Sequence, residues 1–168
     1  IVLVDDGSPD NSRNLAVTLM KDYPNLRVVE LSRNFGHHAA ILAGLEASRG
    51  GLVFFVDSDL EESPELVGDF YESMRETDQD VIYGFYSREA DPWLRRITST
   101  TFWLLISKIT DINIPRNIAN VRLMSRQYVD AVISLPDQNI FIGGMFAWPG
   151  FRQKGLEIIR NTRNEKSS

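Results

Sequence analysis

Short apolar runs alternate with amphipathic segments along the first half of the chain. Four of these runs have the length and composition of buried strands, at residues 1–4, 27–31, 52–56 and 80–84. Between them, apolar residues recur every three or four positions, which predicts helices. The order strand–helix–strand–helix–strand–helix–strand is typical of an α/β domain, in which a mostly parallel sheet is flanked by helices.

Turn-forming and capping residues mark where the predicted helices begin. The first helix is expected to begin at Asn11 or Ser12, and the second to run from about residue 37 to 48. Ser63 followed by Pro64 is typical of an N-cap and a first helical position, so a third helix is expected to begin there.

The second half of the chain predicts a different arrangement. A long amphipathic helix is expected over residues 93–109, followed by a strand at 119–124 and a helix at 126–135. A short helix or turn is expected at 140–148, and a final strand from about Gly155. Because no internal repeat or low-complexity tract interrupts the pattern, a single domain is expected.

Composition narrows the class of protein. Hydrophobic residues make up 43% of the 168 residues and charged residues 24%, which is ordinary for a globular domain. The net charge of -5 does not favour a nucleic-acid partner, because such partners select a basic surface. The absence of cysteine excludes disulfides and thiolate metal sites. No apolar run approaches the roughly 18 residues of a membrane span.

Asp57 and Asp59 follow directly after the third apolar run. On an extended segment, side chains two residues apart lie on the same side, and Glu61 continues this spacing. Carboxylate oxygens suit Mg²⁺ or Mn²⁺, which keep coordination positions open for water and phosphates. The alternative is that these acids are solvated loop residues, or charges that favour the dipole of the third predicted helix, and Glu62 and Glu65 fit this alternative well.

A second acidic motif, Asp5-Asp6-Gly7-Ser8, follows the first apolar run. Open α/β sheets bind ligands at the carboxyl ends of their strands, and a carboxylate there can accept hydrogen bonds from a nucleotide base or ribose. The alternative is turn chemistry, in which Asp and Gly form the corner between strand and helix.

Three motifs together carry a resemblance to a known family: VDDGSPDNS, LSRNFGHHAAILAGLEASRG and VDSDLEESPE. The chain resembles the inverting family 2 glycosyltransferases with the GT-A fold, and most nearly the branch of dolichyl-phosphate mannose synthase and bactoprenol glucosyltransferase. Looser similarity extends the resemblance over nearly the whole chain, through VIYGFYSRE, VRLMSRQYVDAV and FAWPGFRQ.

The resemblance implies roles for the acids at the strand ends. Nucleotide binding is expected of Asp5, Asp6, Ser8 and Asp57. Coordination of Mg²⁺ or Mn²⁺ is expected of Asp57, Asp59 and Glu61. The ion would bridge the diphosphate of a nucleotide sugar and stabilise the charge on the departing nucleoside diphosphate.

The resemblance also implies catalytic roles for Asp59, Arg88 and Arg96. Arg88 follows the fourth predicted strand, and Arg96, or its neighbour Arg95, lies at the start of the long predicted helix. These arginines resemble family arginines that contact phosphates. The alternative for Arg95 and Arg96 is a solvated helix face.

Two departures from the family pattern bear on the expected reaction. The family has a further strand before VDDGS, which is absent here, so residues 1–168 are expected to be a fragment of a longer protein. Asn120 stands where many relatives have an Asp that could act as a general base, which an amide cannot do. A polyprenyl phosphate is already an anion and needs no base, so Asn120 favours that acceptor, or a base elsewhere such as Asp137.

Two further features have a structural interpretation that is preferred over a functional one. His37 and His38 at the start of a predicted helix are expected to form local contacts rather than to act in catalysis. The apolar segment at 140–151, which includes Trp148, is expected to pack in the core rather than to face an acceptor or a membrane.

The expected function is therefore inverting, metal-dependent transfer of a sugar from a nucleoside-diphosphate sugar to an acceptor such as a polyprenyl phosphate. The expected location is the cytoplasm, at the inner face of the membrane. One alternative is a degenerate domain that binds nucleotide or a partner without turnover. A weaker alternative is an aspartate-nucleophile phosphatase, which also places Asp-x-Asp after a buried strand. It is weaker because phosphatases usually continue to Thr or Val after this motif, whereas Leu60 and two glutamates follow Asp59 here.

Overall fold

The computed structural model describes residues 1–86, 117–135 and 142–159. The strands in these ranges are β1 (Val2–Asp5), β2 (Arg27–Glu30), β3 (Leu52–Phe55), β4 (Val81–Tyr86), β5 (Ile118–Ser125) and β6 (Gln153–Ile158). The α-helices are α1 (Ser12–Leu19), α2 (His37–Ala47), α3 (Val67–Thr77), α4 (Arg126–Ile133) and α5 (Ile142–Ala147). A 3₁₀ turn at Pro64–Leu66 leads into α3.

The predicted elements are confirmed wherever the structure describes the chain. The four apolar runs of the first half form β1 to β4, each within two residues of its predicted bounds. Ser63 takes the N-cap position before Pro64, although its hydroxyl makes no capping hydrogen bond. The helix predicted over 93–109 lies outside the described residues.

Two groups of strands make up the sheet structure. β1 pairs in parallel with β2, and a second sheet has the order β3–β5–β4–β6. Sequence analysis expected a mostly parallel sheet, but β5 runs antiparallel to both β3 and β4, and only β4 and β6 are parallel in the second sheet. The reason is that β5 begins at the edge where β4 ends, where the amide of Tyr86 donates to the carbonyl of Asn117.

The second sheet separates two apolar clusters. Helices α2, α4 and α5 cover one face, where Met124 of β5 packs with residues such as Leu42 and Tyr128. Helix α3 covers the other face, where Phe70 packs against Val121 of β5. The class is therefore α/β with a sheet between helices, as the sequence predicted. Among the described helices, none combines the length and the apolar character needed to cross a membrane.

Candidate active site

The site begins where β3 ends and β5 begins. The antiparallel register pairs Phe55 with Arg122. Continued by two residues, this register sets Asp57 opposite Asn120 on the same side of the sheet, because side chains alternate with a period of two. Helix α2 lies on that side of the sheet and contributes its first residue, His37, to the same cluster.

Asp57, Asn120 and His37 are in contact. Asn120 Nδ2 donates a hydrogen bond of 2.7 Å to Asp57 Oδ2. His37 Nε2 lies 3.7 Å from Asp57 Oδ1 and 3.4 Å from Asn120 Nδ2. The side chain of Asp57 is 21% exposed, so it is sheltered but reachable from solvent. His37 thus contacts a candidate site residue and a distant strand rather than only its own neighbours in sequence, and its expected non-catalytic role stays a prediction.

The loop after Asp57 turns sharply. Asp59 is exposed, and its Oδ1 accepts a hydrogen bond of 3.0 Å from the amide of Glu61. Between them, Leu60 has a φ of 63°, a left-handed conformation that is uncommon for a leucine. The Asp59 carboxylate is therefore presented to solvent at the tip of a tight turn.

Glu62 closes this loop, and sequence analysis missed it by treating it as one of the solvated or helix-start charges. Its side chain is buried, and one carboxylate oxygen accepts a hydrogen bond from the hydroxyl of Tyr86 at the end of β4. Glu65 does match that interpretation, because it is exposed in the first turn after Pro64 and accepts a hydrogen bond from Ser63. Only the position of β4 distinguishes the two glutamates.

The three predicted metal ligands are not gathered into one group. Within residues 1–86, 117–135 and 142–159, no three His, Cys, Asp or Glu side chains are placed to hold a metal ion together. Asp57 and Asp59 nevertheless offer the hard oxygen donors that Mg²⁺ and Mn²⁺ select, and Mg²⁺ is commonly held by one or two carboxylates together with substrate phosphates. The residues therefore fit a two-carboxylate site, and ligation by Glu61 stays a prediction.

The second acidic motif makes the bonds of a turn. Asp5 Oδ1 accepts a hydrogen bond of 3.3 Å from the amide of Ser8. Asp6 accepts hydrogen bonds from the amide of Phe35, at 2.7 Å, and from the amide of Gly36, at 2.9 Å. These hydrogen bonds support turn chemistry, which was the alternative interpretation of this motif. Nucleotide binding by Asp5, Asp6 and Ser8 stays a prediction.

Gly7 allows the loops after β1 and β2 to approach each other closely. Its φ is 74°, and a Cβ at this position would lie 2.8 Å from the backbone nitrogen of Asn34. Together with the two hydrogen bonds that Asp6 accepts, this contact fixes the loop before α2. The loop in turn sets where His37 begins that helix.

Arg122 is a further residue that sequence analysis missed. It is buried, its Nε donates to the carbonyl of Asn120 at 3.3 Å, and its guanidinium carbon lies 3.7 Å from the ring centroid of Phe146. Burial lowers the pKa of Arg122 to about 10, so the side chain stays charged at neutral pH. Among the described residues, no carboxylate lies within ion-pair distance of it.

Several sequence predictions lie outside the described residues: Arg88, Arg95, Arg96 and Asp137. The apolar segment near α5 is partly described. Met145 and Phe146 are buried in the core, as expected, whereas Trp148 is 64% exposed just after the helix.

Comparison with known proteins gives consistent results. The sequence model of the family described as Glycosyl transferase family 2 matches residues 1–133. A protein of Mycobacterium tuberculosis is 39% identical over 158 residues, covering 94% of this chain and 46% of its own length. The bactoprenol glucosyl transferase of Shigella phage SfX is 31% identical over 163 residues, covering 97% of this chain and 53% of its own length. The chain thus spans about half the length of these relatives.

A solved structure shares the fold. The glucosyl-3-phosphoglycerate synthase of Mycobacterium tuberculosis, in complex with Mn²⁺, UDP-glucose and phosphoglyceric acid, superposes with a TM-score of 0.59 at 20% identity. The match covers 96% of this chain and 60% of the synthase chain. At this identity, the comparison supports the GT-A-like α/β fold.

Proposed function

The chain belongs to glycosyltransferase family 2, and we propose that it is the donor-binding part of an enzyme that transfers a sugar from a nucleoside-diphosphate sugar to an acceptor. The observation that carries the proposal is the pair Asp57 and Asp59. These carboxylates lie just beyond the end of β3, where an open α/β sheet binds its ligands. In this proposal residues 1–168 form one domain of a longer protein.

Asp57 and Asp59 would hold a divalent cation. When bound, Mg²⁺ or Mn²⁺ supplies charge neutralisation for the diphosphate of the donor. Asp59 lies in the exposed turn and can reach a ligand in solvent, whereas Asp57 is partly sheltered and fixed by Asn120. Asp59 is thus the accessible carboxylate of the pair, and Asp57 is the one held in position.

The proposed reaction is inverting. The attacking oxygen of the acceptor forms a bond to the anomeric carbon from the face opposite the diphosphate, and the bond between that carbon and the diphosphate oxygen breaks. The electron pair of this bond leaves with the nucleoside diphosphate. Arg88 and Arg96 are proposed to neutralise the charge on this leaving group.

The proposed acceptor is a polyprenyl phosphate. Asn120 occupies the sheltered position beside Asp57, and its amide cannot accept the proton of an attacking hydroxyl. A phosphate oxygen is already anionic near neutral pH and requires no such base. Transfer would then occur at the inner face of the membrane. An assay that supplies either polyprenyl phosphate or the matching polyprenol to the longer protein distinguishes the two acceptor classes.

Calorimetric titration tests the donor site. We expect one of UDP, GDP or dTDP to bind this chain in the presence of Mn²⁺ and to bind at least about tenfold more weakly without it, because the diphosphate and the carboxylates repel each other. In Asp59→Asn we expect the Mn²⁺ dependence to be lost while the thermal midpoint is kept, since Asp59 is exposed. Exposed Asp22 offers a matched control, Asp22→Asn.

Two outcomes would contradict the donor site. Unchanged Mn²⁺-dependent affinity in Asp59→Asn removes Asp59 from the metal site. Absence of nucleotide binding, in this chain and in the longer protein alike, favours a degenerate domain that binds a partner instead, which is also consistent with the lack of a three-ligand group among the described residues. Family membership gives no support to the phosphatase alternative.

A further inference from the structure

The side-chain amide of Asn120 donates a hydrogen bond to one of the candidate metal ligands. Its Nδ2 lies 2.7 Å from Asp57 Oδ2, within ordinary hydrogen-bond distance. Asp57 is ionised when it binds a cation and is then an acceptor only, so a neutral donor beside it satisfies one oxygen without competing for the cation. An aspartate at position 120 would instead set two carboxylates against each other.

The position of Asn120 is itself fixed. It lies in β5, whose register with β3 sets it opposite Asp57, and its carbonyl accepts the hydrogen bond from Arg122 Nε at 3.3 Å. Arg122 is buried and held against the ring of Phe146. Asn120 therefore presents its amide from a packed strand rather than from a mobile loop.

The acidic loop is held at both ends by neighbouring strands. At its start, Asn120 of β5 binds Asp57, and at its end, Tyr86 of β4 binds the buried Glu62. Between these two anchors lie the exposed Asp59 and Leu60, the latter with its left-handed φ of 63°. A loop with an uncommon conformation at its tip depends on such anchors to persist.

We propose that Asn120 is a positioning residue, which holds Asp57, and through it the loop carrying Asp59, in the arrangement that receives the metal-bound diphosphate. The proposal rests on the proposed donor site and assigns to Asn120 a role other than that of a missing base. Side chains that orient metal ligands typically change metal affinity by about 10- to 100-fold when they are removed.

Hydrogen exchange in the metal-free protein tests the positioning directly. In Asn120→Ala we expect the amide of Glu61, which donates to Asp59 Oδ1, to exchange at least about tenfold faster, as for the loss of one hydrogen bond to a charged group. Asn120→Asp, which keeps the shape but cannot donate when ionised, should show the same acceleration. Asn14→Ala is the matched control, because Asn14 Nδ2 donates to Asn11 in exposed helix α1.

Binding of Mn²⁺ together with UDP or GDP, measured by electron paramagnetic resonance, tests the functional consequence. We expect Asn120→Ala to weaken it by about 10- to 100-fold. Unchanged exchange of the loop, or faster exchange with unchanged Mn²⁺-nucleotide affinity, overturns the proposal. Retained protection in Asn120→Asp, at a pH where both carboxylates are ionised, also overturns it, since packing rather than donation would then hold the loop.

Failure of the donor site gives a different result from failure of the inference. If neither the wild-type chain nor the longer protein binds Mn²⁺ with nucleotide, the proposed function fails, whatever the loop does. If the wild-type chain binds Mn²⁺ with nucleotide, and Asn120→Ala behaves no differently from the Asn14→Ala control, the donor site stands and the positioning role does not.

Discussion

The side chain of Asp6 has two possible roles, stabilising the fold and binding the nucleotide. Both its carboxylate oxygens accept backbone hydrogen bonds, from Phe35 and from Gly36. Those amides belong to the loop that leads into α2, about thirty residues further along the chain. Asp6 therefore joins two loops of the candidate site.

Replacing Asp6 separates its two interpretations. We expect Asp6→Ala to lower the free energy of unfolding by roughly 1–3 kcal/mol, because two amides lose their acceptor. Urea unfolding of this variant checks it. Asp22→Ala, at an exposed position, should change the free energy by no more than about 0.5 kcal/mol. Full stability combined with weaker nucleotide binding would instead assign Asp6 to the ligand.

Sequence reasoning located the acids of the site but not their partners. Asp57 and Asp59 follow an apolar run, so their place at a strand end could be predicted from neighbouring residues alone. The bond from Asn120 to Asp57 spans 63 positions and depends on the register of β5 against β3. The bond from Tyr86 to Glu62 likewise depends on β4. The local sequence pattern contains no information about either of these hydrogen bonds.

At the scale of elements, Gly84 shows why β4 fits between its two neighbours. A Cβ at this position would lie 2.7 Å from Val121 Cγ1 of β5 and 2.8 Å from Ile158 Cδ1 of β6. The side chains of both adjacent strands thus close over the glycine. The absence of a side chain here is a packing requirement of the α3-facing core.

Adding one methyl group to β4 tests that packing. We expect Gly84→Ala to lower the free energy of unfolding by about 1–3 kcal/mol, because the core must shift to accept it. Gly68→Ala in α3 is the matched control, since nothing lies within 4 Å of its Cβ position. In that helix, alanine is expected to raise stability by up to about 1 kcal/mol. Equal stability of the two variants would contradict the close contact.

The elements themselves could largely be predicted, but their pairing could not. The alternation of apolar runs with amphipathic segments gave β1 to β4 within two residues of their bounds. The same alternation favoured a mostly parallel sheet. It could not show that β5 enters between β3 and β4 in the opposite direction, because strand order depends on where the chain returns to the sheet.

At the scale of the whole molecule, β1 and β2 contain no buried residue, whereas β4 and β5 are largely buried. β1 and β2 form a two-stranded sheet, and α1 beside them has no buried residue, with Leu15 60% exposed. Helix α2 connects this part to the second sheet, because Gly44 lies close to Val4 and Leu42 packs in the core beneath β3. An isolated pair of strands is only marginally stable.

This difference predicts the order of hydrogen exchange. We expect the amides of β1 and β2 to exchange at least about tenfold faster than those of β4 and β5, since local opening of a weakly packed unit requires less free energy than global unfolding. Exchange followed by nuclear magnetic resonance checks it. Uniform protection would show that the two sheets unfold as one unit.

The same measurement tests the family strand that would precede β1. Among the described strands, β1 pairs only with β2, and β3 pairs only with β5, so each leaves one edge where a further strand could form hydrogen bonds. A strand between β1 and β3 would join the two sheets. In a longer chain that carries it, we expect exchange in β1 and β3 to slow towards the rate of β4, while β4 itself is unchanged. Unaltered exchange in β1 would place the added segment elsewhere.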